Sequence, residues 1–377
     1  MTQLIRTYKF KLVPTTEQRE KIEWSLGMCR WLYNSMLEQR RFAYQRQGVS
    51  LSYHQQATEL PWLKKEIPKF KQVHSQVLQQ VAKRLDLAFQ HFFRRVKNGE
   101  KPGFPRFQGK NRFDSMTYPQ AKVSMFQGKF IRIPKIGEVR VKMHRQMEGS
   151  PKTLVVKRKN GRYYVMVTCT MEPSRIKPSG KQVGIDLGVK HFAVTSDKEF
   201  FPAMRFLEKG LCSIKRLQRT VSRRKKGSHR QRKAVALLAK AHERVANQRK
   251  DLAHKISRSL VDRYDLIAFE KLNVKGMVKN RPLAKKIADA AWRQLIDFTT
   301  YKAEWAGKEV KLVDPRNTSQ ACSKCGRMVK KSLEVRMHTC SCGYTEDRDV
   351  NAARNILLKA MGHTSDPRYD PLQLQLC

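Results

Sequence analysis

The sequence predicts an α/β plus β chain: an antiparallel β-domain interrupted by helices, then an α/β unit ending in a cysteine knuckle. Three observations predict it. The hydrophobic period is two across residues 122–172. After about residue 182 it gives way to short apolar strands alternating with helical stretches. Four of the eight cysteines come as two close pairs, Cys322/Cys325 and Cys340/Cys342. The net charge is +46, from 78 Lys and Arg against 32 Asp and Glu, spread from Arg6 to Arg354.

These bulk properties bound the function. With 377 residues, 40% of them hydrophobic, the chain can build two or three domains with a sizeable core. Such an excess of one charge repels itself and calls for a polyanionic partner, held along a groove rather than by a tail. No apolar run is long enough to span a membrane, and MTQLIRTYKF does not read as a signal peptide. A lysine-rich amphipathic helix or lipidation motif is also missing, so no membrane partner is expected. With only four cysteines clustered, a reduced cytoplasmic protein with one metal site is expected over a disulfide framework.

The elements follow in order. Residues 3–12 alternate as a strand, Pro14 ends it, and Thr15 with Gln18 makes a capping box for a helix. Ile22, Leu26, Cys29, Leu32 and Met36 form that helix's apolar stripe, and Val77, Val81, Leu85, Ala88 and Phe92 form one over residues 75–96. Residues 60–69 hold two prolines and predict a loop with one short helix. Arg30, Arg40, Arg41, Arg94 and Arg95, with Gln76, Gln79 and Gln80, give this module faces for nucleic acid, against the plainer reading of a solvated bundle. Phe104, Phe107 and Phe113 punctuate a Pro/Gly linker. They can stack on bases, though at least two of the three are expected to tuck onto a core. Candidate strands follow at residues 122–126, 129–134, 138–143, 152–159 and 162–170, the last two joined by Asn160-Gly161 as a two-residue hairpin. With residues 3–12 they predict a small barrel or curled sheet into which the helices are inserted.

Beyond a linker at residues 173–181, VGIDLG is a buried strand ending in Asp186. A hairpin across Asp197-Lys198 and a long basic helical stretch, residues 205–263, come next. Arg223, Arg224, Lys225 and Lys226 lie in a run with almost no acidic partners, which points to phosphate rather than to mere solvation. DLIAFE is a buried strand ending in Glu270, followed by a Gly turn, a helix over residues 284–307 and a strand ending at Asp314. Then come the knuckle and a last helix over residues 350–361.

Two constellations carry chemistry. C-x-x-C followed by C-x-C, each pair with Gly one residue on (Gly326, Gly343), is a closed four-thiolate site for structural zinc, with an iron–sulfur cluster as the lesser alternative. Asp186 and Glu270 end apolar strands, and Asp349 opens a helix. Each alone reads as a turn, a solvated end or a cap. Together they can converge at one sheet edge, where two Mg²⁺ ions would neutralise them and serve phosphodiester hydrolysis.

GIDLG, FEKLNVKGM, the paired cysteines and DRDVNAARNI together resemble the TnpB family of transposon-encoded RNA-guided nucleases, relatives of the type V CRISPR effectors. The resemblance covers nearly the whole chain. It implies an RNase H-like (RuvC) nuclease domain at residues 180–377 with a zinc ribbon inserted at 318–345. It also implies a β-barrel-like wedge domain from residues 1–12 and 101–175, and a helical recognition module at 13–100. Asp186, Glu270 and Asp349 match the family's three acids, with Asp347 the competitor for the third. Cys322, Cys325, Cys340 and Cys342 match its zinc ligands. The implied partners are a guide RNA from the transposon end and duplex target DNA beside a short motif, for which Gln76, Gln79 and Gln80 are candidate readers, in a monomer per RNA. A compact type V effector, and a transposase or regulator without guided cleavage, are the alternatives. Residues 363–377 are expected to be a dispensable tail.

Overall fold

The computed structural model describes residues 4–110, 112–172, 178–332 and 335–362. The chain divides into two compact units, Met1–Glu172 and Pro173–Cys377.

The first unit opens with β1 (Leu4–Val13). The helices α1 (Thr16–Gln47), α2 (Tyr53–Thr58), α3 (Leu60–Glu66) and α4 (Ser75–Lys97) follow. The Thr15/Gln18 capping box forms as expected, and Gly48 ends α1 in the left-handed conformation. The remaining strands are β2 (Ser115–Tyr118), β3 (Phe126–Gln127), β4 (Phe130–Ile133), β5 (Gly137–Lys142), β6 (Ser150–Lys159) and β7 (Arg162–Met171). They form one antiparallel sheet in the order β2-β6-β7-β1-β5-β4-β3. The first strand is therefore central, and the helices enter as an insertion after it. Asn160 and Gly161 both take positive φ, as the two-residue hairpin requires.

Four expectations change here. Among the described residues the ladder ends at β2 and β3 without closing, so the sheet is open rather than a barrel. Residues 123–125 form a 3₁₀ turn and β2 is an extra strand, because these short segments carry too few alternations to declare a period. Arg40 is not on an exposed face. It is buried, bonded to Gln56 and paired with Asp86 at 3.1 Å. Of the three linker phenylalanines only Phe113 is buried. Phe104 packs edge-on against Phe89 and Phe92 while half exposed, and Phe107 lies beneath Arg41.

The second unit begins with β8 (Gln182–Asp186), β9 (His191–Thr195) and β10 (Phe200–Pro202). Next come α5 (Phe206–Arg223), α6 (His229–Arg263), β11 (Leu266–Glu270), α7 (Val274–Met277), α8 (Arg281–Ala290), α9 (Trp292–Ala306) and β12 (Glu309–Val313). It ends with β13 (Met337–Thr339), β14 (Thr345–Asp347) and α10 (Arg348–Ala360). The five-stranded sheet runs β10-β9-β8-β11-β12, with β8, β11 and β12 parallel and β9 antiparallel to both its neighbours. Its core is Val183, Ile185, Ile267 and Phe269 against Leu260 of α6 and Leu295 of α9. The basic stretch is two helices, with Arg224–Ser228 between them. The expected single helix over 284–307 breaks at Ala291, which adopts φ 53°. NVKGM forms the short helix α7 rather than a plain turn. The linker at 173–177 and the tail at 363–377 lie outside the described residues.

Candidate carboxylate site and cysteine knuckle

Two parallel strands bring the first two acids together. Ile185 of β8 registers with Phe269 of β11, so Asp186 and Glu270 end neighbouring strands at the same level. In an open α/β sheet, that carboxyl edge is where ligands bind. Val183, Ile185 and every residue of β11 are buried, which fixes both strand ends. Gly184 lets α10 lie directly on β8: a Cβ there would come within 2.0 Å of the Ala353 carbonyl oxygen. The first turn of α10 then carries Asp349 to the same edge.

The electrostatics record this meeting. The carboxyl of Asp186 is held well above the usual carboxylate range, first by burial, then by the charges of Glu270 and Asp349. Burial also raises Glu270, opposed by a hydrogen bond from the Thr318 hydroxyl and by the charge of Lys359. Asp349 has Arg336 at 4.0 Å. Asp347, the competing acid, caps α10 by accepting from the backbone N–H groups of Asp349 and Val350. Its carboxylate is used by the helix start. The three acids offer oxygen donors of the kind a hard divalent cation takes, while among the described residues the four cysteines are the group whose ligand atoms lie close enough together to hold one ion.

The cysteines also converge. Their Sγ atoms all lie within 4.8 Å of one another, with Cys322–Cys342 at 3.8 Å and Cys325–Cys340 at 3.6 Å. A tetrahedral zinc with Zn–S near 2.3 Å spaces its sulfurs about 3.8 Å apart, so the set fits that ion. Gly326 and Gly343 take φ 73° and 80°, the left-handed turns that close each pair. Cys340 is drawn down to about 7, chiefly by the backbone N–H of Cys342, whereas burial pushes Cys325 up to about 12. Metal binding would displace the remaining thiol protons.

The other candidates are on other elements. Arg223, Arg224, Lys225 and Lys226 are exposed at the α5–α6 connection. Gln79 is exposed on α4, Gln80 half-buried, and Gln76 bonds Gln120. Thr318, buried against Glu270, was not singled out by sequence reasoning. It is 48 residues away in the chain, and a lone Thr before a cysteine pair carries no local signal.

A family model described as "Probable transposase" (OrfB_IS605) matches residues 165–281. A "Cas12f1-like, TNB domain" model matches residues 292–356. A "Helix-turn-helix domain" model of the OrfB group matches residues 1–48, whose described part, residues 4–48, holds β1 and the single helix α1. A protein of Streptomyces pristinaespiralis named "Putative RNA-guided DNA endonuclease" is 32% identical over 95% of this chain and 90% of its own length. InsQ of Escherichia coli (strain K12), which bears the same description, is 31% identical over 95% and 92%. Among solved structures, CasPhi-2 (Cas12j) bound to crRNA aligns over 97% of this chain and 99% of its own, at 11% identity and a TM-score of 0.48, a loose likeness.

Proposed function

The chain belongs to the TnpB family, and we propose that it is the RNA-guided DNA endonuclease of a transposable element, hydrolysing phosphodiester bonds at an RNase H-like (RuvC) site. The observation that supports this reading is geometric: Asp186 and Glu270 end neighbouring parallel strands at the same level, and Asp349 lies in the first turn of the helix packed on β8. Acids brought to one sheet edge by two strand ends and a helix start fit a catalytic metal site.

In this reading the three acids hold two Mg²⁺ ions. When bound, such ions lower the pKa of the attacking water and offset charge at both oxygens of the displacement. The chain's own part is placement. The sheet sets Asp186 and Glu270 side by side, Thr318 holds Glu270 through a hydrogen bond, and the Asp347 cap fixes the helix start that presents Asp349. Cys322, Cys325, Cys340 and Cys342 hold a structural Zn²⁺. A guide RNA from the transposon end occupies the basic surface, including Arg223, Arg224, Lys225 and Lys226, while Gln76, Gln79 and Gln80 read a short motif beside the target. Guide pairing then supplies sequence choice, as in Cas9-type enzymes.

The test is to purify the protein from cells carrying its native flanking DNA and to sequence the nucleic acid that accompanies it. One discrete RNA whose 3′ segment matches the flank, and which programs Mg²⁺-dependent cutting of a matched duplex, is the expected result. Heterogeneous RNA, or cutting independent of the RNA's sequence, would overturn guided cleavage.

A further inference from the structure

We infer that Thr318, clamped from α10 by Asn351 and Asn355, is the positioning residue for Glu270, and that this clamp ties the cysteine knuckle to the carboxylate site. The inference rests on the proposed role of Glu270 as a divalent-cation ligand.

Glu270 and Thr318 are 7% and 3% exposed. The Thr318 hydroxyl lies within hydrogen-bond reach of Glu270 Oε1, at 2.5 Å, and of the Pro315 carbonyl, at 2.9 Å. It has one proton, and the carboxylate is the stronger acceptor. Anchoring Oε1 fixes the rotation of the carboxylate and leaves Oε2 for a cation.

Thr318 is itself held from outside. It sits in a turn at residues 317–321, where the Ala321 N–H bonds the Asn317 carbonyl and Asn317 takes φ 64°. The next residue is Cys322. Asn355 Nδ2 donates to the carbonyls of Thr318 (2.8 Å) and Ala321 (2.7 Å). Asn351 Nδ2 donates to the Ala321 carbonyl at 2.8 Å, and its Oδ1 accepts from the Ser323 N–H at 2.9 Å. The two asparagines are 0% and 4% exposed and, four residues apart, share one helix face. Buried amides bonded wholly to a turn's backbone specify that turn, because any apolar replacement leaves its carbonyls unpaired. The same helix carries Asp349. One helix therefore places one acid directly and a second through Thr318, on the segment that also begins the knuckle.

The test uses Thr318→Val, which keeps the shape and removes the hydroxyl. Mn²⁺ binding to the full-length, zinc-loaded protein is followed by calorimetry, and cleavage by the RNA-loaded protein is followed against Mg²⁺ concentration. Residues that orient a metal ligand typically matter about 10- to 100-fold in metal affinity, so Mn²⁺ binding weakens by that factor and half-saturating Mg²⁺ rises with it. Zinc content and target binding stay unchanged, and Thr318→Ser restores both readouts. Asn355→Ser carries the same test should Thr318→Val fold poorly. Combining Thr318→Val with Asn355→Ser gives less than the sum of the two effects, since they act through one anchor. Wild-type Mn²⁺ binding in Thr318→Val, or a loss that Thr318→Ser does not rescue, overturns the inference. Glu270→Gln separates this from the reading beneath it. If that variant binds Mn²⁺ normally, the acid assignment falls. If it loses Mn²⁺ while Thr318→Val does not, the positioning role alone falls.

Discussion

Replacing Gly184 by Ala adds a single methyl group and changes none of the three acids, yet it should impair cleavage strongly. The new Cβ would lie 2.0 Å from the Ala353 carbonyl oxygen, 2.7 Å from Leu357 N and 2.9 Å from Leu357 Cβ. Two of these three are backbone atoms of α10, so no side-chain rotation relieves them. Ordinary contact begins near 3.4 Å, and α10 must therefore withdraw from β8 by about 1.4 Å. Overpacking of this kind typically destabilises by about 1–3 kcal/mol. In a unit of this size each kcal/mol is about 2–4 °C in Tm. The larger effect falls on the chemistry. Asp349 rides on the same helix, one turn before Ala353, and a misplacement of about 1 Å can lower a rate about 100-fold. Single-turnover cleavage of a matched duplex by the RNA-loaded variant, alongside target-binding and melting measurements, is the assay. A loss of about two decades in rate, with binding intact and Tm lowered by several degrees, is expected. Wild-type rate and Tm together would refute the claim that close approach of α10 to β8 sets the position of Asp349.

Other perturbations separate the roles of individual groups. Asp186→Ala should abolish cleavage while guided target binding persists, since phosphate contacts supply affinity; retained cutting would remove Asp186 from the site. Because the Asp186 carboxyl is raised in the folded state, its contribution to stability is present at low pH and lost as pH rises through that raised value. Without divalent cations, Asp186→Asn should therefore raise Tm at neutral pH and flatten its pH dependence, and identical melting profiles would contradict the repulsion. Asp347→Ala should destabilise by about 0.5–2 kcal/mol through the lost cap and keep cleavage at saturating Mg²⁺, whereas Asp349→Asn should lose it; the reverse pattern would exchange the two acids. Cys322→Ser should empty the knuckle of zinc and lower the melting temperature of the second unit, with unchanged zinc content and Tm as the contrary result.

Much of the candidate site was legible because its parts sit where local rules are strong. The strands VGID and LIAFE are short apolar runs, and a run that stops at an acid marks where a strand leaves the core. The cysteine pairs and their glycines announce their own turns. What was hidden depends on distant contacts or on competition between similar groups. Asp347 and Asp349 look alike in sequence. They part only when the backbone N–H groups of a helix start at Arg348, rather than Val350, take the first as cap. The break between α8 and α9 has no Gly or Pro. Ala291 adopts the left-handed conformation, which its own propensity disfavours, so tertiary packing must impose it. Arg40 reads as one more surface cation until Asp86, 46 residues on, pairs with it.

The position of α10 explains why so many of these effects meet in one helix. Gly184 admits its backbone to the sheet, Asn351 and Asn355 grip the turn before Cys322, Asp347 caps it, and its first turn carries Asp349. Each contact constrains the same rigid body, so none can relax without moving an acid. Burial works against Asp186 and Glu270, the charge of Asp349 works against Asp186, and a loosely held helix would lower that energy by drifting away. The buried asparagines and the absence of a Cβ at residue 184 deny it that escape. Substitutions along α10 should consequently be non-additive: once one contact lets the helix move, a second adds little. In the double variant Gly184→Ala/Asn355→Ser, a cleavage loss equal to the product of the two single losses would show instead that the helix is held by independent contacts and that Asp349 is placed by its own turn alone.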